Sequence, residues 1–196
     1  GIHGKGKSSS DLCATGPGMT QDEYRTQFEL WCMWSSPLLI SFDLSQPISE
    51  DDRAMITNKE LIDLNQDELA QPAECVGQYG NLYYFQKPLS NGDVAIAVTN
   101  VGDKEEQFRL EFDRFSLAKG LRAFKVRDCQ QRTDVGAVKG GFDTKVRSHA
   151  TLVFRLSENI EIANIVRRNL KKTLGIDESE KGVSTMSSSV RKRKQK

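Results

Sequence analysis

Polar and apolar positions between residues 18 and 36 follow a helical pattern with a defined start. Thr20 and Glu23 have the spacing of a capping box, in which each side chain accepts a hydrogen bond from the other residue's backbone amide. Apolar side chains then recur at three- and four-residue intervals, at Tyr24, Phe28, Trp31 and Cys32, with Leu30, Met33 and Trp34 widening the stripe. This spacing predicts a helix that is buried on a broad face and ends before Pro37.

The residues after Pro37 predict a strand and further helices. Leu38 to Phe42 form a short, almost unbroken apolar run, which fits a parallel strand covered on both faces. Ser49 precedes three acidic residues and opens a second helix through about Thr57, and residues 60–65 form a further turn. This alternation of strand and helix is typical of βαβ units.

A different pattern begins near residue 76 and predicts antiparallel sheet. Strand-like apolar runs lie at residues 82–85, 94–98, 108–112, 122–126 and 150–156. Asn91-Gly92 separates the first two runs, which is a strong hairpin signal. Five or six short strands with turns at these intervals predict an antiparallel β-sandwich over residues 76–157.

The last segment, residues 158–196, has a different pattern from the two preceding parts of the chain. Residues 159–174 combine Ile, Val and Leu with Arg and Lys in the spacing of a basic amphipathic helix. Residues 175–196 are Ser-rich, basic and poor in apolar side chains, which predicts disorder. A basic terminus attracts nucleic acid or an anionic membrane, so an adaptor that acts through this tail is one functional hypothesis.

Composition narrows the functional classes. The 196 residues carry a formal net charge of +1, which argues against a protein directed as a whole to nucleic acid. No stretch approaches the roughly 20 apolar residues of a membrane span. The four cysteines, Cys13, Cys32, Cys75 and Cys129, lack CxxC spacing, so no zinc cluster is expected. Cys32 is predicted to be a small core side chain, and a disulfide among the others stays open.

Residues 1–8 match the phosphate-loop pattern GxxxxGKS. That pattern binds phosphate only where a buried strand feeds the loop and a helix begins at its Lys-Ser, so that amides point at the ligand. Gly16-Pro17-Gly18 follows too soon after Ser8 for such a helix. The match is interpreted as a flexible basic segment, and His3 and His149 are too isolated to form a metal site.

Three sequence blocks occur in a fixed order between Gly18 and Asp67: GMTxxExRTxFxLW, SPLLIxxDL and LIxLNQD. They resemble the end of the catalytic barrel in the α-galactosidase family (glycoside hydrolase family 27 and its clan). Residues 76–157 resemble the β-sandwich that follows the barrel in that family. The resemblance implies the last βα units of a TIM barrel at residues 1–75, an antiparallel β-sandwich at 76–157, and a helical and disordered basic tail at 158–196.

The family consists of retaining glycosidases that use two Asp side chains and no cofactor. The resemblance places a nucleophile at the end of the fourth barrel strand and an acid/base at the end of the sixth. Retention needs these carboxyl groups roughly 5–5.5 Å apart. Both positions would lie before Gly1, so no residue of this chain inherits either role.

One sugar-binding position can be aligned with this chain. Upstream of the capping box, the family carries a Trp-Asn-Asp-Pro-Asp-Met-Leu-like segment whose second Asp faces the sugar. Asp11 and Leu12 align with that Asp and Met if one residue is missing before Gly18, which makes them the substrate-binding candidates. The alternative is that Asp11 is a loop carboxylate in water. The Trp, Asn and Pro are absent, so the seventh strand is expected to be damaged or misjoined.

The leading hypothesis is therefore a C-terminal fragment of a glycosidase that hydrolyses terminal α-galactosides, inactive by itself. Galactose, N-acetylgalactosamine and arabinopyranose remain alternatives for the sugar. A non-catalytic carbohydrate-binding or structural module is the alternative function. Residues 1–75 alone would expose strand edges and an apolar helix face, which predicts poor autonomy and makes the sheet the better candidate for independent folding.

Overall fold

The computed structural model describes residues 19–39, 47–118 and 123–159. In chain order, the described elements are α1 (Gln21–Met33), α2 (Glu50–Ile56), α3 (Lys59–Asn65), β1 (Glu74–Tyr79), β2 (Leu82–Pro88), β3 (Val94–Asn100), β4 (Glu106–Glu111), β5 (Ala123–Asp128), β6 (Thr133–Lys139), β7 (Gly141–Val146) and β8 (Thr151–Glu158). Two short 3-10 turns, Phe112–Arg114 and Ser116–Ala118, follow β4.

The strands form two sheets. Six strands pair in the order β1-β2-β3-β8-β5-β6, and β4 pairs with β7 in a two-stranded sheet. Every pairing between the described strands is antiparallel. Around Asn91-Gly92, β2 and β3 pair in register from Leu82 opposite Asn100 to Pro88 opposite Val94. The predicted hairpin and antiparallel β-sandwich are confirmed.

The main core lies between the two sheets. Alternate residues of β3 (Val94, Ile96 and Val98) point into it. Aromatic rings from β2, the 3-10 turns, β5 and β8 fill the space, namely Tyr84, Phe112, Phe115, Phe124 and Phe154. Gly141 at the start of β7 has a φ of 145°, and a Cβ there would lie 2.2 Å from the carbonyl oxygen of Leu110. Only glycine therefore allows β4 and β7 to pair this closely.

The helices form as their sequence signals predict. Thr20 Oγ1 accepts from the Glu23 amide at 3.3 Å, and Glu23 Oε2 accepts from the Thr20 amide at 2.6 Å. This capping box starts α1, which ends at Met33, before Pro37. Ser49 caps α2, and Asn58 caps α3.

The barrel portion of the predicted fold stays a prediction. Leu38 and Leu39, the first residues of the predicted parallel strand, belong to no strand, and residues 40–46 lie outside the described part. The phosphate-loop-like segment and the predicted tail after Asn159 also lie outside it. Among the described residues, no helix has the length and apolar character needed to cross a membrane.

Candidate functional site: the helix–sheet interface

The second face of the six-stranded sheet is covered by helices α1 and α3. The helices contribute Phe28, Cys32, Met33, Leu61 and Leu64 to a buried apolar cluster. The sheet contributes Ala95, Ala97 and Val153. Small side chains on β3 let the backbone of α1 approach the sheet, and both faces of β3 are therefore buried.

Backbone and polar side chains join the two parts across this cluster. Thr26 on α1 donates from its hydroxyl to the His149 carbonyl oxygen at 2.8 Å, and His149 lies in the turn between β7 and β8. Asn58 caps α3 with its Oδ1 while its Nδ2 donates to the Cys129 carbonyl oxygen at 2.9 Å. The buried Asn58 side chain thus accepts a hydrogen bond from the helix with its oxygen and donates one to the sheet with its nitrogen, which ties the start of α3 to the end of β5.

Two ion pairs lie at the rim of the interface. The Arg127 guanidinium on β5 holds both carboxylate oxygens of Glu60 on α3, with its Nη2 at 2.7 Å from Oε1. These hydrogen bonds, and a further one to Asp134, raise the pKa of Arg127. Arg147 pairs with Asp22 of α1 at 2.5 Å. Both pairs fix the orientation of the helices more than they add stability, because their arginines are partly exposed to solvent.

Lys87 on β2 is fully buried and joins three segments. Its ammonium donates to Ser35 Oγ at 2.5 Å and to the Gln71 carbonyl oxygen at 2.6 Å. Burial lowers the pKa of Lys87, while the charge of Asp67 acts in the opposite direction. The turn after α1, at Ser35, and the segment before β1, at Gln71, are therefore held to the sheet by the one buried Lys87 side chain.

Glu29 of α1 is 1% exposed and faces a pocket of about 230 Å³ between α1, α2, the start of α3 and the β5–β6 turn. Its Oε2 has no hydrogen-bond partner among the described residues. Burial raises the pKa of Glu29 well above its ordinary value of 4.5, while the positive charge of Arg25 acts in the opposite direction. Burial therefore favours the protonated form of the Glu29 carboxyl.

Among the described residues, no group of three or more His, Cys, Asp or Glu side chains could hold a metal ion. The described thiols are free, and Cys32 and Cys129 are buried. Burial raises the pKa of each of these two thiols to about 12, so both stay protonated and unreactive at neutral pH. Cys32 is thus a core side chain, as its position on the helix predicts.

The two substrate-binding candidates from the sequence, Asp11 and Leu12, lie outside the described residues and stay predictions. The sequence interpretation missed Glu29 and Lys87. Glu29 stands within the apolar stripe between Phe28 and Cys32, and this placement is a usable signal for a buried acid. Lys87 follows a continuous strand pattern and carries no comparable signal.

The two parts of this interface match two family models. Residues 3–67 match the model described as Alpha galactosidase A. Residues 79–156 match the model described as Alpha galactosidase C-terminal beta sandwich domain. The helices of the interface lie in the first match, and the strands β2, β3, β5, β6 and nearly all of β8 lie in the second, whereas most of β1 lies between the two matches.

Individual relatives give the same result. The chain is 31% identical over 156 residues to alpha-galactosidase A from Cellvibrio japonicus, covering 75% of this chain and 38% of that protein. It is 33% identical over 141 residues to alpha-galactosidase A from Aspergillus niger, covering 72% of this chain and 26% of that protein. The crystal structure of alpha-galactosidase I from Mortierella vinacea superposes with a TM-score of 0.70 at 25% identity, covering 76% of this chain and 38% of that one. The chain therefore spans well under half the length of the relatives it matches.

Proposed function

Since this chain belongs to the α-galactosidase family of glycoside hydrolases, we propose that it forms the C-terminal part of a retaining enzyme that removes terminal α-linked galactose. In this proposal, the sandwich is a structural support for the closing helices of the catalytic barrel. No cofactor takes part, and the carbohydrate substrate binds to the complete enzyme.

The helix–sheet interface is the observation that carries this proposal. Helices from the part matched by the Alpha galactosidase A model bury Phe28, Cys32 and Leu61 against the sheet from the sandwich part. Lys87 and Asn58 add buried hydrogen bonds across the same boundary. An interface of this kind holds the helices at a fixed position, which is what a barrel needs in order to close.

The family chemistry is a double displacement. One carboxylate attacks the anomeric carbon and expels the leaving group, which the second carboxyl protonates, and water then releases the sugar from the covalent intermediate. The family resemblance assigns both carboxyl groups to barrel strands upstream of this chain. Within the chain, the resemblance assigns sugar contacts to Asp11 and Leu12. The chain by itself is therefore proposed to have no turnover.

Hydrolysis of an aryl α-galactoside by purified residues 1–196 tests this proposal. The expected rate is that of buffer alone, while a full-length relative assayed in parallel is active. Turnover that co-purifies with the chain through two unrelated chromatography steps would contradict the proposal. An Asp11→Asn variant then shows whether such turnover depends on the aligned carboxylate.

A structural role fits the sandwich better than a sugar-binding platform does. Sugar platforms need an exposed aromatic face, but the described sandwich rings that stack together, such as Tyr84, Phe112 and Phe154, lie in the core. Tyr79 is half exposed, but the Arg114 guanidinium lies 4.1 Å above the centre of its ring. If Tyr79 were a platform, galactose binding measured by calorimetry would disappear in a Tyr79→Ala variant and survive changes elsewhere.

A further inference from the structure

The turn between β2 and β3 presents the Asn91-Gly92 pair to solvent. Gly92 has a φ of 86°, and a Cβ added there would meet no other described atom within 4 Å. The Gly92 amide nitrogen therefore lies next to the Asn91 side chain without a side chain that shields it. Every other Asn in the sequence is followed by Lys, Gln, Leu, Val or Ile, whose side chains hinder the same approach. In this sequence, Asn91 is therefore the Asn most open to attack by the next amide nitrogen.

Hydrogen bonds at the turn prepare this attack. Asn91 Oδ1 accepts from the Asp93 amide at 3.0 Å, which polarises the side-chain carbonyl and stabilises the negative charge that would form on its oxygen. Asn91 Nδ2 donates to Asp93 Oδ2 at 3.0 Å. The Gly92 amide donates to the Leu89 carbonyl oxygen at 3.0 Å, so opening of this exposed turn frees the nitrogen while the strands stay paired.

We propose that Asn91 is a site of spontaneous deamidation, at which the side-chain amide becomes a carboxylate through a cyclic succinimide. The Gly92 nitrogen bonds to Asn91 Cγ, the Cγ–Nδ2 bond breaks, and the amide proton passes through water to the departing ammonia. A second water molecule opens the ring. Breaking the bond from the Gly92 nitrogen to Cγ leaves aspartate, and breaking its bond to the main-chain carbonyl carbon of Asn91 leaves isoaspartate.

The new carboxylate lies beside Asp93, whose side chain anchors the turn to the sheet. Asp93 Oδ2 accepts from Arg155 Nε at 2.6 Å and from Ser157 Oγ at 2.8 Å, and both donors belong to β8. Deamidation removes the hydrogen bond from Asn91 to Asp93 and brings two carboxylates together, which repel each other. The modification therefore weakens the turn at the point where it is tied to β8.

The same turn also contacts the helix part. The Ser90 amide donates to the two carboxylate oxygens of Asp67 at 3.0 and 3.1 Å, and Ser90 Oγ donates to Asp67 at 2.9 Å. Asp67 follows α3 and ends the first family match, whereas Ser90 lies within the second. Isoaspartate lengthens the main chain directly after Ser90. Deamidation is therefore expected to loosen the contact between the helix part and the sandwich.

Peptide mass spectrometry of the folded, complete chain, incubated at mildly alkaline pH, tests the proposal. The peptide with Asn91 is expected to gain the mass of an amide-to-acid change before any other, and electron-transfer fragmentation separates aspartate from isoaspartate. Asn81 is the matched control in the same molecule, because it is exposed in the turn between β1 and β2 but is followed by Leu82. Absence of conversion at Asn91, or conversion of Asn81 at the same rate, would overturn the proposal.

A Gly92→Ala variant tests the chemical step. The added methyl group has room, although the positive φ strains it, and it hinders the attacking nitrogen. Conversion of Asn91 is expected to slow several-fold. An unchanged rate would show that water hydrolyses the side chain directly, which contradicts the succinimide step.

An Asn91→Asp variant, which is one of the two products, tests the consequence. Its denaturant midpoint is expected to lie below that of the wild type, and the Ser90 amide is expected to exchange faster. Gln107→Glu is the matched control, because it makes the same amide-to-acid change at an exposed position of β4 opposite Lys145 and is expected to behave like the wild type. Equal midpoints and equal Ser90 exchange in Asn91→Asp and the wild type would overturn the inferred loosening.

Discussion

The two faces of the six-stranded sheet are buried by different chemistry. On the sandwich side, aromatic rings pack edge to face, such as Phe112 on Phe124 with ring centres 5.5 Å apart and Phe142 on Phe154 at 5.2 Å. On the helix side, β3 presents Ala95 and Ala97 to α1. The buried acidic and basic side chains in the described residues, Glu29, Asp52 and Lys87, all belong to the helix side.

This difference indicates how the molecule is built. Edge-to-face aromatic pairs contribute stability beyond their buried area and do not depend on pH. Buried ionisable groups instead make the stability of the helix side depend on protonation and on hydrogen bonds that must all form together. We therefore expect the sandwich to be the more stable unit, with the helices packed on its outer face. The following changes test this comparison, from the largest expected effect to the smallest.

Replacing Phe112 by Ala is expected to have the largest effect. The ring is 1% exposed and contacts both Phe124 and Phe142. Its removal is expected to lower the free energy of unfolding by about 3–5 kcal/mol, measured by denaturant titration. Because the helices need the sheet beneath them, helix and sheet signals are expected to be lost in one transition. Val135→Ala, on the exposed edge strand β6, is the control, with a change within about 0.5 kcal/mol.

Replacing Ala97 by Leu overpacks the helix side. Ala97 is fully buried beneath the helices, and the larger side chain is expected to destabilise the protein by about 1–3 kcal/mol. The expected loss is confined to α1 and α3, so far-ultraviolet helix signal falls while the near-ultraviolet signal of the sandwich aromatics stays. The matched Ala137→Leu variant on exposed β6 is expected to be neutral. Equal destabilisation by the two variants would show that the helices do not rest on Ala97.

Replacing Glu29 by Gln changes the pH dependence of stability. The folded-state pKa of Glu29 is raised, chiefly by burial, so its contribution is fully present below the ordinary value of 4.5 and is lost as pH rises through the folded-state pKa. Asp22 and Asp128 raise this pKa further, and Arg25 opposes them. A Gln side chain does not ionise, so the variant is expected to gain stability relative to the wild type as pH increases.

Denaturant midpoints of the wild type and of Glu29→Gln, measured in steps from about pH 4.5 to pH 9, check this expectation. Parallel curves for the two proteins would contradict it. Lys87 does not affect the difference between the two proteins, because both contain it. Burial lowers the pKa of Lys87 from 10.5, so its contribution to the pH dependence of stability has the opposite sign to that of Glu29. The cost of the buried ammonium is relieved as pH rises from the lowered pKa towards 10.5, and it is present in both proteins.

Replacing Thr20 by Ala is expected to have the smallest effect. The substitution removes the hydroxyl that accepts from the Glu23 amide and is expected to cost about 1 kcal/mol. The pKa of Glu23 is lowered chiefly by a hydrogen bond from the Thr20 backbone amide and further by one from the Thr20 side chain. The substitution removes the second of these hydrogen bonds. A Thr20→Ser variant keeps the hydroxyl and is expected to restore most of the loss. If the Ala and Ser variants have the same free energy of unfolding in denaturant titration, the Thr20 hydroxyl does not contribute to stability.

The sequence predicts the elements whose signals are local. The capping box at Thr20, the Ser49 start of α2 and the Asn91-Gly92 hairpin depend on residues close together in the chain, and all three form. The strands β1, β6 and β7 are absent from the prediction. The strands β1 and β6 are exposed along most of their length and contain a glycine, and β7 begins with a glycine and has few apolar residues, so no clear apolar alternation marks the three strands. Pairing with a neighbouring strand creates them, and that partner is not visible in the local sequence.

In the candidate site, too, the sequence predicts the features with local signals and misses those that depend on distant residues. Burial of Tyr24, Phe28 and Cys32 follows from helical spacing, but burial of Glu29 and Lys87 depends on elements that lie far away in the sequence. Gln130 and Arg132 reach the pocket from the β5–β6 turn, about 100 residues after Glu29. No periodicity brings such residues together. Asp11 and Leu12 depend on the family resemblance alone and stay predictions.

Native-state hydrogen exchange on the complete chain tests the central claim most directly, because it compares the two regions in one molecule. If the sandwich is the stable unit and the helices dock onto it, amides of β3 and β8 exchange only through global unfolding. Amides of α1 and α3 then exchange through a separate opening of lower free energy, and Glu29→Gln shifts only that opening. Equal protection of helices and sheet, or exchange of β3 before α1, would contradict the account.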